Sequence, residues 1–294
     1  MSSARLQGLG LLLVTAAAWG FNWPVMKLLM QEWPPYFFRV LAGGGAILLL
    51  LTIALAQRDA LLPRPDQWGR LVVAAILNVT SWSGVAPLSL FWLDASEAAI
   101  IAYTMPVWAT ILAWPFLGER PTWRRLAGLV LGLGGVTLLM AGQLVSVPAA
   151  VLAEKLPGVA AILGTALMFA SGTVFTKRFP VQMPPVPMVA WQLGIGMLPV
   201  VAVALAFERL DLSRVGIIGW GCLAYVAVIA QCLAYLAWFQ ALKRLPASTA
   251  AIGSLLVPVI GVFSSGLVLD EPLGLRQMAA LAMTLGGVAL ASRG

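Results

Sequence analysis

The feature that most constrains the fold of this chain is a long internal repeat. Residues 96–142 align without a gap on residues 248–294 at a shift of 152, and Pro106 falls on Pro258. Each copy is an apolar run interrupted by one proline, followed by a short charged turn and a glycine-rich apolar run. A self-match of this length indicates two copies of one structural unit.

The composition indicates that both copies lie in a membrane. Of the 294 residues, 61% are hydrophobic and 10% are charged, with a mean hydropathy of +0.95. A soluble domain carries about 25% charged residues. The sequence therefore predicts a polytopic protein whose surroundings are the lipid bilayer. We attribute the formal charge of +7 to loop arginines and expect no nucleic-acid partner.

The residue types leave little room for metal or redox chemistry. There is no histidine, which removes the commonest metal ligand and general base. Cys222 and Cys232 lie in one apolar run, so the sequence predicts neither a disulfide nor a zinc site. We therefore expect no cofactor and no catalytic residues.

Ten apolar runs are long enough to cross a bilayer, which takes about 20 residues of helix. The fold predicted is an all-α integral membrane protein with ten transmembrane helices. The first run is interrupted by Asn22 and Pro24, and we interpret it as a retained helix rather than a signal peptide. The runs are 7–30, 34–56, 69–92, 96–117, 122–142, 157–178, 185–207, 214–241, 247–269 and 273–292.

The repeat divides these helices into two units of five. The first unit is predicted at 1–145, a linker at 146–156 and the second unit at 157–294. Because five is odd, the second unit enters the membrane upside down. The result is an inverted-topology repeat, as in many secondary transporters. With an internal N-terminus, twelve Lys and Arg lie inside and six outside, so we expect both termini in the cytoplasm.

Several motifs resemble the drug/metabolite transporter superfamily, in particular its EamA domains. They are residues 18–22 (Ala-Trp-Gly-Phe-Asn), residues 234–242 near the end of span 8, and the twin blocks 106–119 and 258–272. Within the family, the chain is most similar to the YddG-type exporters of aromatic and other neutral amino acids. The resemblance implies a bacterial inner-membrane protein that exports solutes through a central cavity lined by both halves.

Acidic residues are absent from the middle of every predicted span. All eleven lie at or beyond helix ends, and residues 9–30 contain none. Since buried membrane charges mark ion and proton pathways, their absence argues against cationic drugs and simple proton antiport. Facilitated, gradient-driven movement is favoured. Glu119 beside Arg120 is interpreted as a surface charge pair of little energetic weight, with gating as the alternative.

The two repeated prolines are predicted hinges. Pro106 would free the carbonyl of Ala102, and Pro258 that of Ser254. A free carbonyl at membrane depth must face protein or a wet cavity, where it could accept a hydrogen bond from a solute ammonium. The alternative is a purely structural kink, closed by a nearby hydroxyl such as that of Thr104 or Ser254.

Polar and aromatic residues form stripes at helical spacing on several spans. We predict that these stripes line one cavity, in which aromatic rings stack on the solute and polar groups hold its ammonium and carboxylate. The alternative is packing and hydrogen bonding between helices. The candidate substrate-binding residues are Trp19, Asn22, Asn78, Trp82, Tyr103, Trp108, Phe169, Thr173, Gln231, Tyr235 and Trp238.

These observations predict an exporter of small neutral amino acids, aromatic or otherwise apolar, that works by alternating access. The rival is a carrier for another solute, such as a drug, nucleotide or sugar conjugate, with or without proton coupling. An enzyme or a channel is disfavoured. Gly128, Gly132 and Gly135 in span 5 predict a packing or dimer seam. We expect a monomer or a weak homodimer.

Overall fold

A computed structural model of the protein describes residues 3–93, 95–140, 149–269 and 274–293. Over these residues the chain forms ten helical passes and no strand, which confirms the all-α membrane fold, and seven passes are long and apolar enough to cross a membrane. The passes are α1 (Ser3–Glu32), α2 (Pro35–Ala56), α3 (Pro65–Phe91), α4 (Ala95–Ala102 and Met105–Leu117), α5 (Trp123–Met140), α6 (Ala149–Arg178), α7 (Pro185–Phe207), α8 (Ile217–Arg244), α9 (Ala247–Gly253 and Leu256–Leu269) and α10 (Leu275–Ala291).

The helices begin and end near the predicted boundaries, with one large difference. Helix α6 starts at Ala149 and takes in residues 149–156 of the expected linker. Residues 146–148 lie outside the described residues, as does the acidic end of the second twin block, Asp270 to Pro272. Large apolar side chains face outward along the bundle, among them Leu48 and Leu205, each 69% exposed. Such side chains suit contact with lipid.

Each helix of the first half has a main partner in the second half. Helix α2 packs along α7, and α5 packs along α10. Helix α1 packs against α8 and α9, while its repeat equivalent α6 packs against α3 and α4. The two halves therefore interlock rather than pack as two separate bundles.

Glycines allow the closest of these contacts, between α5 and α10. A Cβ added to Gly128 would lie 2.5 Å from the carbonyl oxygen of Gly287, and one added to Gly287 would lie 2.6 Å from that of Gly128. A Cβ on Gly135 would lie 2.5 Å from Thr284 Oγ1. The seam predicted from these glycines thus lies within one chain, where small residues let two helix backbones touch.

Helices α3 and α8 share an irregularity that the sequence did not predict. Both are π-helical in the middle, over Ile76–Val85 and Val226–Leu233, which overlap at the repeat shift of 152. Wider turns of this kind are rare and occur frequently at functional sites. Side chains from neighbouring helices bond to these segments: Trp19 Nε1 donates to the carbonyl of Ala230 at 3.0 Å, and Thr165 Oγ1 donates to that of Ser81 at 3.2 Å.

Helix α4 is interrupted just before its repeated proline, as expected. The backbone turns tightly there, with Thr104 N donating to Ile101 O at 3.1 Å and Val107 N to Thr104 O at 2.9 Å. The Thr104 hydroxyl also donates to the Ile101 carbonyl, at 2.6 Å. Proline cannot donate a backbone hydrogen bond, so the chain closes the gap with shorter turns and a side chain.

Helix α9 is interrupted in the same way before Pro258. Leu255 N donates to Ile252 O at 3.1 Å, and the Ser254 hydroxyl donates to Ala251 O at 2.6 Å. The Ser254 carbonyl, which the sequence predicted to be free, accepts the N–H of Val257 at 3.0 Å. At this position the structural kink is therefore satisfied locally.

Candidate functional site

A cavity of about 530 Å³ lies at the centre of the bundle. One wall comes from α1, α8 and α9, and the facing wall from α3, α4 and α6, so both halves contribute to each wall. The cavity reaches toward the end of the bundle where α1 finishes and α2 begins. Met30 and Leu90, which lie there, are 51% and 43% exposed. It is large enough to hold a small molecule.

Three aromatic rings close the inner end of the cavity, and a fourth packs behind them. We call this group the aromatic floor: Trp19, Phe169 and Tyr235 at the cavity, with Trp238 behind. The Trp19 ring centre lies 5.5 Å from that of Tyr235 at an interplanar angle of 76°, and 6.5 Å from that of Phe169 at 72°. Trp238 is fully buried and lies 5.8 Å from both Trp19 and Phe169. Edge-to-face pairs of this kind favour fixed ring positions.

Trp19 is held against α8 by its own hydrogen bond and by that of Thr15, one turn earlier on α1. Its indole N–H donates to the Ala230 carbonyl in the π-helical part of α8. One turn earlier on α1, Thr15 Oγ1 donates to the Leu11 carbonyl at 2.9 Å and lies 3.4 Å from the Ala234 carbonyl. The polar-aromatic stripe of α1 therefore faces α8 as well as the cavity, and it fixes the orientation of the central ring.

The structure brings some of the predicted substrate-binding residues to the cavity and places the rest behind its wall. Those that line it are Trp19, Asn22, Trp82, Tyr103, Phe169 and Tyr235. Those that do not are Asn78, Trp108, Thr173, Gln231 and Trp238.

The residues behind the wall mostly bond to other protein groups. Asn78 Nδ2 donates to the Ala74 carbonyl at 2.8 Å and to Thr176 Oγ1 at 3.1 Å, so it joins α3 to α6. Thr173 Oγ1 donates to the Phe169 carbonyl at 3.0 Å, and Trp108 Nε1 to Thr104 Oγ1 at 3.2 Å. Gln231 faces α2, where a Cβ on Gly43 would lie 3.2 Å from its Oε1.

Sequence reasoning missed several residues of the outer wall. Met26 and Met30 continue the α1 stripe at intervals of four from Asn22, and extending that stripe would have found them. Ser254, Val257 and Ser265 come from α9, whose face toward the cavity carries no distinctive pattern. Lys27 and Arg39 also line the outer part.

The opposite end of the bundle is held by Glu119, which follows α4. Glu119 Oε1 accepts the N–H of Ala247 at 2.9 Å, and Oε2 lies 3.1 Å from Ser248 Oγ and 3.3 Å from Ser248 N. Lys177 Nζ at the end of α6 lies 3.0 Å from Glu119 Oε1 and donates to the Leu245 carbonyl. Glu119 is thus no surface pair with Arg120: it joins three helices, with a side chain 13% exposed.

The surroundings of Glu119 keep it ionised. Burial by itself would raise the pKa of its carboxyl group. The N–H of Ala247 and the ammonium of Lys177 outweigh that effect and hold the pKa below its usual value. Glu119 is therefore charged at neutral pH in this arrangement.

Two further carboxylates bind helix starts at the cavity end of the bundle. Glu32 accepts the N–H of Gly216 at 2.8 Å, next to the first turn of α8. Glu208 accepts the N–H of Tyr36 at 2.8 Å and of Phe37 at 2.7 Å, in the first turn of α2. Carboxylates at helix N-termini stabilise the free N–H groups and the helix dipole. These two contacts tie the loops at this end to the bundle.

Ten apolar passes around a central cavity define a multi-pass membrane transporter. The model of the EamA-like transporter family matches residues 6–141 and 156–293, so the chain belongs to this family. The family resemblance predicted from the motifs is thereby confirmed. Membership of a transporter family indicates transport rather than catalysis.

Relatives agree with this assignment, and a solved structure shares the fold. The chain is 31% identical to "Uncharacterized transporter YvbV" of Bacillus subtilis over 92% of this chain and 87% of the relative. It is 26% identical to a "Probable amino-acid metabolite efflux pump" of Salmonella typhimurium, over 95% and 92% of the two chains. A solved crystal structure matches its fold with a TM-score of 0.82 at 22% identity, over 99% of this chain and 96% of that one.

Proposed function

We propose that the protein exports small neutral amino acids, aromatic or otherwise apolar, across the bacterial inner membrane by facilitated alternating access. The observation that carries this proposal is the central cavity itself. It ends on the aromatic floor at its inner side and reaches toward one end of the bundle, while the Glu119–Lys177 contact joins helices at the other end. A site accessible from one side at a time is what alternating access requires.

The direction of opening follows from the proposed topology. If both termini are cytoplasmic, as the excess of inner Lys and Arg predicts, α1 ends outside and the cavity faces outward. Glu119 and Lys177 then lie at the cytoplasmic end. The structure would represent the state from which a solute leaves the cell.

The cavity lining favours an amino acid over a cationic drug. The rings of Trp19, Phe169 and Tyr235 offer apolar faces and edges to a hydrophobic side chain. Among the described residues Asn22 Oδ1 has no hydrogen-bond partner, so this amide can turn toward an ammonium group. None of the described lining residues is Asp or Glu, which leaves a lone cation without a counter-charge. The name of the Salmonella relative also favours amino-acid metabolites.

A second candidate is a phosphate-bearing solute. Lys27 and Arg39 in the outer wall favour an anion at the mouth of the cavity. The apolar aromatic floor supplies no cation at its inner end, so we rank this candidate below amino acids.

We expect liposomes that contain the purified protein to take up labelled tryptophan, phenylalanine and methionine without an imposed pH gradient. The described cavity lining contains no carboxylate that could carry a proton, and Glu119 stays ionised at neutral pH. The panel should include alanine, a quaternary ammonium drug and a sugar phosphate, with empty liposomes as the control. Uptake that requires a pH gradient would refute the facilitated mechanism, and uptake of the drug or sugar phosphate alone would refute the substrate.

Replacing Pro106 or Pro258 by alanine should slow transport more than it weakens binding. Each change restores one possible backbone hydrogen bond across a helix interruption and stiffens the hinge, so we expect kcat to fall about tenfold and KM to change less than about threefold. Initial rates of uptake measure both constants. Pro199, inside α7 and away from the cavity, provides the control variant. Equal losses in rate and binding would mean that the prolines only shape the site.

A further inference from the structure

We propose that a second pocket, at the closed end, binds the carboxylate of an arriving solute. That carboxylate would open the closed end by replacing Glu119 as the partner of Lys177. The inference deepens the proposed function, because it takes an amino acid as the arriving solute. The pocket has a volume of about 300 Å³ and lies between the ends of α6 and α8.

The lining of this closing pocket suits an anion with an apolar part. Lys177 and Lys243 supply two ammonium groups, and Thr176 supplies a hydroxyl. Phe239 and Leu242 form the apolar wall toward the aromatic floor. None of the described lining residues is acidic, and Lys243 adds a second positive charge beside the Lys177 ammonium that Glu119 binds. A carboxylate is the group of an amino acid that this charge attracts.

From the closing pocket, a solute can reach Lys177 more easily than Glu119. The side chain of Lys177 is 27% exposed and lines the closing pocket, whereas that of Glu119 is 13% exposed and does not line it. A second carboxylate can therefore reach the ammonium from the pocket while Glu119 holds it from the other side. Competition for one ammonium group gives the solute a direct means of weakening the contact.

Loss of the Glu119–Lys177 contact would weaken the connection between the ends of three helices. Glu119 follows α4, Lys177 lies in the last turn of α6, and Ala247 and Ser248 begin α9. Helices α4 and α9 are also the two that are interrupted before Pro106 and Pro258. Loss of Lys177 would leave a largely buried carboxylate without its counter-charge, which disfavours the closed arrangement. The start of α9 would then be free to move about its own interruption.

Thiol labelling from the cytoplasmic side tests this inference directly. Leu242→Cys places a reactive group in the closing pocket at a position that is 2% exposed, in a background with both native cysteines replaced by alanine. Adding Glu119→Gln should raise the rate of reaction with an impermeant maleimide about tenfold, the effect expected from losing a charge-assisted hydrogen bond. Glu208→Gln is the matched control, since it removes a helix-binding carboxylate at the opposite end and should leave the rate unchanged.

Three probes distinguish the effect of the carboxylate on the labelling rate from the effect of the rest of the solute. Phenylalanine and phenylacetate should each raise the labelling rate of the Leu242→Cys protein, while phenylalaninamide, which lacks the carboxylate, should not. In Glu119→Gln the difference among the probes should disappear. Lys177→Gln should raise the basal rate as Glu119→Gln does, because it leaves the Glu119 carboxylate without its counter-charge, and it should also lose the response to carboxylates. This second variant covers the case in which Glu119→Gln folds poorly.

The outcomes are distinct from those of the transport assay. The inference is overturned if Glu119→Gln leaves the labelling rate unchanged, or if phenylalanine and its amide raise that rate equally. Either result counts even if amino acids are transported. If phenylacetate accelerates labelling but no amino acid enters liposomes, the carboxylate-operated contact stands and the proposed substrate fails.

Discussion

Replacing Trp19 by alanine should reduce the transport of phenylalanine at least about tenfold, mainly through a higher KM. Trp19 is the ring that contacts the other three members of the aromatic floor, and its loss removes several pairs worth about 0.5–1.5 kcal/mol each beyond their buried area. Concentration-dependent uptake into liposomes measures the change. Stability should be measured alongside, because Trp19 also bonds α1 to α8.

Trp19→Phe distinguishes the contribution of the aromatic ring from that of the indole hydrogen bond. The equivalent residue of the second half is Phe169, so this variant makes the two halves alike at the floor. It keeps an aromatic surface but loses the bond to the Ala230 carbonyl, worth about 1 kcal/mol, and we expect a loss of about threefold to tenfold. Trp114, 56% exposed on α4, is the matched control for removing a tryptophan. Equal losses in Trp19→Ala and Trp114→Ala would exclude the floor as the substrate site.

Replacing Gly128 by valine should destabilise the protein strongly. The new side chain would meet the Gly287 backbone at 2.5 Å, and backbone cannot move aside as a flexible side chain can. Overpacking of this kind costs about 1–3 kcal/mol and separates helices α5 and α10. The measurement is thermal unfolding of the detergent-purified protein, followed by the loss of its monodisperse peak on size exclusion.

Gly44→Val is the control for this prediction, because a Cβ at Gly44 has no neighbour within 4 Å. It should leave the unfolding temperature nearly unchanged. A Gly128→Val protein with normal stability but altered oligomeric state would place the glycine seam between two chains, contrary to the packing of α5 on α10.

The helices could be predicted from sequence because, in lipid, the secondary structure of a segment depends almost entirely on the residues of that segment. In a bilayer every backbone group must be paired within its own segment, so an apolar run of about 20 residues becomes a helix whatever its neighbours are. The interruptions before Pro106 and Pro258 were predictable for the same reason, since proline removes a local donor. The π-helical segments of α3 and α8 were not, because their carbonyls are satisfied by side chains from other helices, such as Trp19 and Thr165.

The site was predictable only in part. A stripe of polar and aromatic residues shows which residues share one face of a helix, but it does not show whether that face lines the cavity or packs against another helix. Asn78 and Trp82 share a face of α3, yet Trp82 lines the cavity while Asn78 bonds to Thr176. On α8, likewise, Tyr235 lines the cavity whereas Gln231 faces Gly43 of α2. Where a helix has several neighbours, one polar stripe can serve the cavity at one turn and a helix contact at the next.

The sequence by itself determined the class of this protein: its apolar runs, its repeat and the odd number of helices per half specify an inverted membrane transporter. Only the tertiary structure decided how the halves combine. It pairs every helix with one from the other half, and it joins Glu119 to Lys177, which are far apart in the chain. The physical reason is that hydropathy and proline chemistry act within a segment, whereas cavities and ion pairs depend on which segments become neighbours.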